Sequence, residues 1–132
     1  MDPQHATPVE LARADPRADI LLDPRPWGQF EQLSLNEAST VKIITVAPGG
    51  RLSLQRHRLR DELWTILDDT LTVTVGEQTW EAAREEKVWI PRGTLHRVAA
   101  AAGSTGGRFL EIAFGHFDED DIERLADDYQ RG

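Results

Sequence analysis

The sequence predicts a single all-β domain, a sandwich or barrel, and three observations carry that reading. Nine short segments rich in β-branched and aromatic residues follow one another after Trp27: FEQL, TVKIITV, RLSLQRH, LWTIL, LTVTV, QTWEA, KVWIP, HRVAA and RFLEIAF. Turn signals separate them (NEAS, PGG, LRDE, DDT, GE, AREE, RGT and AAGSTGG), and no long helical pattern intervenes. The 132 residues, 39% of them hydrophobic, are enough for one continuous core, which makes a second domain unexpected.

Five of the chain's seven prolines stand at Pro3, Pro8, Pro16, Pro24 and Pro26. That density predicts an N-terminal arm over 1–24, flexible or packed on a partner subunit, with at most a helical turn around Val9–Ala14. The domain proper then runs over 25–132 and holds the strands. The one helical pattern comes last, in DEDDIERLADDY, Asp118 to Tyr129. Asp118 can cap it, and Ile122, Leu125, Ala126 and Tyr129 recur at helical spacing, so a C-terminal helix packed across the outside of the barrel is expected. The acids Glu119 to Asp121 suit its first turn.

The chain has no cysteine, which excludes disulfides and every thiolate-based nucleophile or metal site. A net charge of -8 argues against broad binding to a nucleic-acid backbone. No stretch reaches the roughly 18 apolar residues of a membrane span, and the N-terminus lacks the basic start and apolar run of a signal peptide, so a soluble, cytoplasmic protein is expected. The charge is unevenly spread: RLSLQRHRLR, Arg51 to Arg60, has four arginines and no acid. A local basic patch in an acidic chain suits a small anionic ligand better than a polymer.

Side chains at i and i+2 of a strand share a face, so Gln55 and His57 point one way together with Ser53, while Leu54 and Arg56 point the other. If the next strand returns as a hairpin, Glu62 comes close to them. His96, after the Pro91–Gly93 turn, is a fourth candidate; His5 in the arm and His116 before the last segment are weaker ones. Spacing alone leaves a polar cluster and a metal site equally open. The mixture of nitrogen and oxygen donors is compatible with zinc, manganese, iron, cobalt or nickel.

PGGRLSLQRHRLRDELW, Pro48 to Trp64, and PRGTLH, Pro91 to His96, resemble the two metal-binding motifs of the cupin superfamily. RPWG, Arg25 to Gly28, and EDDIERLADDYQR, Glu119 to Arg131, further resemble the cupin domain of type II mannose-6-phosphate isomerases. The resemblance implies a double-stranded β-helix, or jelly-roll barrel. It also implies one divalent metal ion per chain, with zinc favoured, held by Gln55, His57, Glu62 and His96, and it suggests a homodimer. The open edges of a sheet give independent support for the dimer. That cupin domain is often fused behind a guanylyltransferase, which this chain lacks. Some positions depart from the family pattern: Arg58, Leu59 and Leu63 stand where His is common, and Ala113 stands where Gln is expected.

The implied reaction interconverts an aldose phosphate and a ketose phosphate, with mannose 6-phosphate and fructose 6-phosphate as the leading pair. It needs a base that is not itself a metal ligand. Glu111 is the first candidate and Lys42 the second, both on strand faces expected to line the barrel. Guanidinium forks suit phosphate oxygens, and Arg60 and Arg92, in the turns bounding the motifs, can overhang a barrel mouth. Arg56, Arg58 and Arg97 read as surface ion-pair partners. Trp64 and Trp89 read as core or pocket wall, and Trp27 as a residue closing one end of the barrel. Two other readings of the same ligand box are an iron-dependent oxygenase and a non-enzymatic sugar or small-anion binding protein.

Overall fold

The structure is a computed structural model that describes residues 13–128; His5, Tyr129 and most of the expected Val9–Ala14 turn lie outside the described residues. A one-turn 3-10 helix at Pro16–Asp19 precedes eleven strands: β1 Leu21–Arg25, β2 Gly28–Gln32, β3 Ser39–Val46, β4 Leu54–Arg56, β5 Arg60–Ile66, β6 Leu71–Val75, β7 Gln78–Glu81, β8 Lys87–Ile90, β9 His96–Ala100, β10 Gly107–Gly115 and β11 Glu123–Ala126. β1 and β2 form a hairpin of their own. The rest build two sheets in the orders β3-β10-β5-β8 and β11-β4-β9-β6-β7, with every pairing antiparallel.

Alternation explains which residues fill the space between the sheets. On the first sheet Ile44, Val46, Phe109, Trp64, Ile66, Val88 and Ile90 face inward, and on the second Leu71, Val73, Val98 and Ala100 do; together they form the core. Truncating a side chain as large and enclosed as Phe109 would cost about 3–5 kcal/mol. The outer face of the first sheet carries a second apolar cluster, Leu63, Trp89, Ile112 and Phe114, against which Ile20 and Leu33 from the N-terminal segment pack. All seven residues of β5 are therefore buried, one set against the barrel core and the other under that segment.

The predicted C-terminal helix is not formed. Glu123–Ala126 is a strand, antiparallel to β4, with Glu123 opposite Arg56 and Arg124 opposite Gln55. The spacing of Ile122, Leu125 and Ala126 fits a helix, but the free edge of β4 offers backbone partners that an isolated short helix cannot match. A register shift between Arg124 and Ala126 lets Leu125 point into solvent. Arg97 ties the two strands to β9 by donating to the carbonyls of Leu52 and Ala126. Trp27 does not close the barrel: it sits in the β1–β2 turn and is 74% exposed.

Candidate metal centre

The expected hairpin between the strands carrying His57 and Glu62 is absent, because β4 and β5 belong to opposite sheets. The two residues still meet, across the barrel: His57 Nε2 lies 3.3 Å from Glu62 Oε2, and His96 Nε2 lies 3.8 Å from Glu62 Oε1. The sheet registers explain this convergence. One transverse row of the second sheet reads Arg124, Gln55, His96, Val75, all directed inward; facing it, the first sheet offers Thr40, Ala113, Glu62, Ile90 and, one row away, Lys42, Glu111, Trp64, Val88.

Backbone carbonyls set the imidazole tautomers. His57 Nδ1 is 2.7 Å from the carbonyl of Asp121, and His96 Nδ1 is 2.9 Å from that of Thr94. A carbonyl only accepts, so each Nδ1 carries the proton and each Nε2 presents a lone pair to the site. The Nη2 of Arg60, always a donor, lies 3.3 Å from His57 Nε2 and agrees with that assignment. Burial holds the His57 imidazole below the usual histidine value, overriding the pull of Glu62, with His96 and Arg60 acting in the same direction as burial. Burial alone would raise the Glu62 carboxyl; positive charge on His96 or His57, were they protonated, the Arg60 guanidinium and the Trp64 indole, whose Nε1 donates at 3.0 Å, act the other way, and the net direction is downward.

His57, Glu62 and His96 thus bring two lone pairs and a carboxylate within 4.8 Å of one another, all buried. His96 Nε2 has no hydrogen-bond partner among the described residues, and His57 Nε2 faces an acceptor oxygen of Glu62. An electron-rich, desolvated group of this kind fits a divalent cation, which would satisfy all three donors together. Gln55 stands at the edge of the group, with its Nε2 3.5 Å from His57 Nε2 and its Oε1 accepting from the Ser53 hydroxyl. Turning the amide over would aim the oxygen at the site and leave Ser53 as acceptor, since a hydroxyl can play either part.

One residue that sequence reading missed organises the loop between β4 and β5. Both carboxylate oxygens of Asp121 accept backbone amides, those of Arg58 at 2.9 Å and Leu59 at 2.8 Å, while its carbonyl holds His57. The only signal in the sequence was an acidic run, and it pointed to a helix. The second motif is tied to the first by the Gly93 amide, which donates to the His57 carbonyl at 2.6 Å. Gly115, with a φ of +107°, lets the end of β10 pass close beneath the same loop; a Cβ there would meet the Leu59 carbonyl at 2.5 Å.

The other predicted site residues fall into two groups. Glu111 and Lys42 are opposite one another on β10 and β3, facing the barrel interior. Burial first, then the Glu62 charge, push the Glu111 carboxyl up to about 8, and Arg60 and Lys42 oppose the shift. Arg60 is buried within the site, where it also donates to Glu62 at 3.3 Å and to the Asp118 carbonyl at 3.1 Å. Arg92 instead forks onto buried Asp61 at 2.8 and 3.0 Å. Arg56 pairs with Glu123 on the outer face. Lys42, Gln55, Arg60, Phe117 and Arg124 line an open cleft of about 650 Å³ at the barrel mouth, together with Glu119 and Asp120.

This architecture and donor set define a cupin barrel with a candidate metal centre. Solved structures agree on the fold. An epimerase, RmlC, from Legionella pneumophila superposes with a TM-score of 0.61 over 80% of this chain and 69% of its own, at 11% identity. Oxalate decarboxylase from Bacillus subtilis gives 0.59 over 67% and 24%, at 20% identity. A double-stranded β-helix protein from Klebsiella pneumoniae gives 0.57 over 67% and 76%, at 13% identity. The sequence goes further: residues 22–127 match the family described as mannose-6-phosphate isomerase C-terminal, and the chain belongs to that family. Alginate biosynthesis protein AlgA of Pseudomonas aeruginosa is 39% identical over 108 residues, which are 81% of this chain and 22% of AlgA. Mannose-1-phosphate guanylyltransferase ManC of Salmonella typhimurium is 34% identical over 127 residues, 93% of this chain and 26% of ManC. The chain therefore spans about a quarter or less of these relatives.

Two predictions follow from the site. His57→Ala should lower zinc affinity at least a hundredfold and Asp121→Ala tenfold to a hundredfold, read by competition with a chromogenic chelator; unchanged retention in His57→Ala rejects the donor set. The second concerns pH in metal-stripped protein. An unfolded glutamate titrates near 4.5 and folded Glu111 near 8, so the stability it contributes is complete below 4.5, declines across that interval and is gone above about 8. The melting temperature of wild type relative to Glu111→Gln should fall over the same interval and then level off; a flat difference rejects the shift.

Proposed function

We propose that the chain is a metal-dependent isomerase that interconverts an aldose phosphate and a ketose phosphate, with mannose 6-phosphate and fructose 6-phosphate as the pair. The observation carrying this reading is a second carboxyl, Glu111, beside the three donors and separate from them, in a chain that belongs to the mannose-6-phosphate isomerase C-terminal family. His57, Glu62 and His96, with Gln55 as a fourth donor, would hold the ion, and zinc is our first choice. When bound, the ion supplies positive charge that polarises the carbonyl and adjacent hydroxyl oxygens of the substrate.

Glu111 removes the proton from C2 of the open-chain aldehyde. The C–H electron pair becomes the C1–C2 double bond as the C1 carbonyl π pair moves to O1, which takes up a proton to give the enediol. The O2 hydroxyl then gives up its proton, its electron pair forms the C2 carbonyl, and the C1–C2 π pair takes the proton back from the same carboxyl onto C1. A base must be ionised to act; burial and the Glu62 charge hold Glu111 at about 8, and Lys42, opposite it across β10 and β3, opposes that shift, so proton abstraction should strengthen as pH rises toward that value. Lys42 therefore assists Glu111 rather than replacing it. The Phe117 ring meets both Lys42 and Arg60, whose charged groups lie 4.0 and 4.3 Å from its centre.

Exchange of the C2 proton of mannose 6-phosphate with solvent, followed by NMR on zinc-loaded protein, should be readily measured in wild type and fall at least a hundredfold in Glu111→Gln. Metal retention without exchange would reject the isomerase. Two histidines and one carboxylate also suit a non-haem iron oxygenase, and that outcome would favour this second reading or the non-enzymatic one.

We also propose a homodimer. Val41 and Ile43 on the open edge strand β3 are 57% and 58% exposed, an apolar pair on an edge that self-association would cover. Sedimentation equilibrium should give twice the chain mass for wild type and a shift toward monomer for Ile43→Glu; a monomeric wild type rejects the proposal.

A further inference from the structure

We infer that Arg124 and Lys42, on the edge strands of the two sheets, form an anion subsite that seats the phosphate of a phosphorylated sugar. This rests on the isomerase reading above and assigns a part of the site that reading leaves open. β11 and β3 are the first strands of their sheets and flank the same cleft. On β11 the register decides direction: Glu123 is opposite Arg56 and pairs with it on the outer face, at 2.9 Å, so Arg124, opposite Gln55, turns to the cleft. Had the segment been a helix, Arg124 would have belonged to the polar outer face.

The state of Arg92 and of the two arginines that line the cleft narrows the choice. Arg92 is committed to Asp61 by two donors. Arg60 donates toward Glu62, His57 and the Asp118 carbonyl, so its fork is engaged inside the donor cluster. The Arg124 side chain makes no hydrogen bond or ion pair to a described residue, and it is exposed on the cleft wall. A guanidinium with free donors presents the fork geometry that phosphate oxygens accept, and Lys42 adds a second charge from the opposite strand.

Position and charge fit a substrate that bridges subsite and metal centre. Arg124 lies two strand spacings, about 9–10 Å, along the row from His96, with Gln55 between them. A six-carbon sugar can thus place its carbonyl end at His57, Glu62 and His96 and its far end at Arg124. Glu119 and Asp120 line the cleft from the β10–β11 loop and repel a dianion. That leaves the Lys42 and Arg124 walls as the side where the phosphate rests.

Calorimetric titration of zinc-loaded protein with mannose 6-phosphate, using inorganic phosphate as a competitor, tests the assignment. Arg124→Ala should weaken mannose 6-phosphate at least tenfold, and Lys42→Met should do likewise, while zinc affinity stays within about twofold of wild type. Arg84→Ala removes one positive charge at the opposite end of the barrel, where Arg84 faces Asp69, and should leave binding unchanged. Equal binding by wild type and both cleft variants overturns the subsite and leaves the isomerase reading standing. An equal loss in Arg84→Ala also overturns it, in favour of a general charge effect. Failure of wild type to bind mannose 6-phosphate at all rejects the isomerase reading for that substrate and the subsite with it.

Discussion

The site depends on the hydrogen bond from His57 Nδ1 to the carbonyl of Asp121. His57 lies just beyond the end of β4, where the Gly93 amide holds its carbonyl but does not orient its ring. Asp121 supplies that restraint, since its carboxylate closes the loop by accepting the Arg58 and Leu59 amides while its backbone carbonyl orients the ring. Pairing of β11 with β4 in turn fixes where Asp121 sits. The terminal segment is thus a strap across the first motif, and a candidate metal ligand near the middle of the chain is positioned by a residue 64 positions later.

The same geometry makes the barrel electrostatically costly at one end. An ionised Glu62 in a buried site loses several kcal/mol of hydration unless partners replace it. Trp64 and Arg60 supply two charge-assisted hydrogen bonds, yet two imidazole lone pairs and the Glu111 carboxyl are also directed into this region. A fold optimised for stability alone would fill these positions with apolar residues, as it does at Val73, Val88 and Val98 in the same barrel. The concentration of lone pairs and carboxyls at one mouth therefore reads as a site whose missing positive charge is supplied by a ligand.

Much of this was legible in the sequence because it is local. The period of two along LQRH places Gln55 and His57 on one face whatever the tertiary fold, and the structure keeps them there. Glu62 was placed near them by the wrong route: a hairpin was expected, whereas the contact is made across the barrel between sheets, a relation that no local pattern encodes. The terminal segment failed for a related reason. Ile122, Leu125 and Ala126 satisfy helical spacing, and only the long-range pairing with β4 decides for a strand. Arg92 illustrates the limit for charged residues, because its partner Asp61 lies 31 positions earlier and neither neighbourhood announces the pair.

Reassigning that last segment changes the chemistry of the mouth as well as the topology. As a helix on the outside, it would have added acids to the surface of a chain already carrying a net charge of -8. As a strand it sorts its charges by face: Glu123 is neutralised by Arg56 outside, while Arg124 joins Lys42 and Arg60 on the cleft. A chain with a strong overall negative charge thereby gathers three cations, Lys42, Arg60 and Arg124, on a cleft that also carries the acids Glu119 and Asp120. The net charge that argues against a polyanionic partner is thus compatible with a small anion, provided the anion is short enough to be held between two edge strands and bound at its other end by the candidate metal centre.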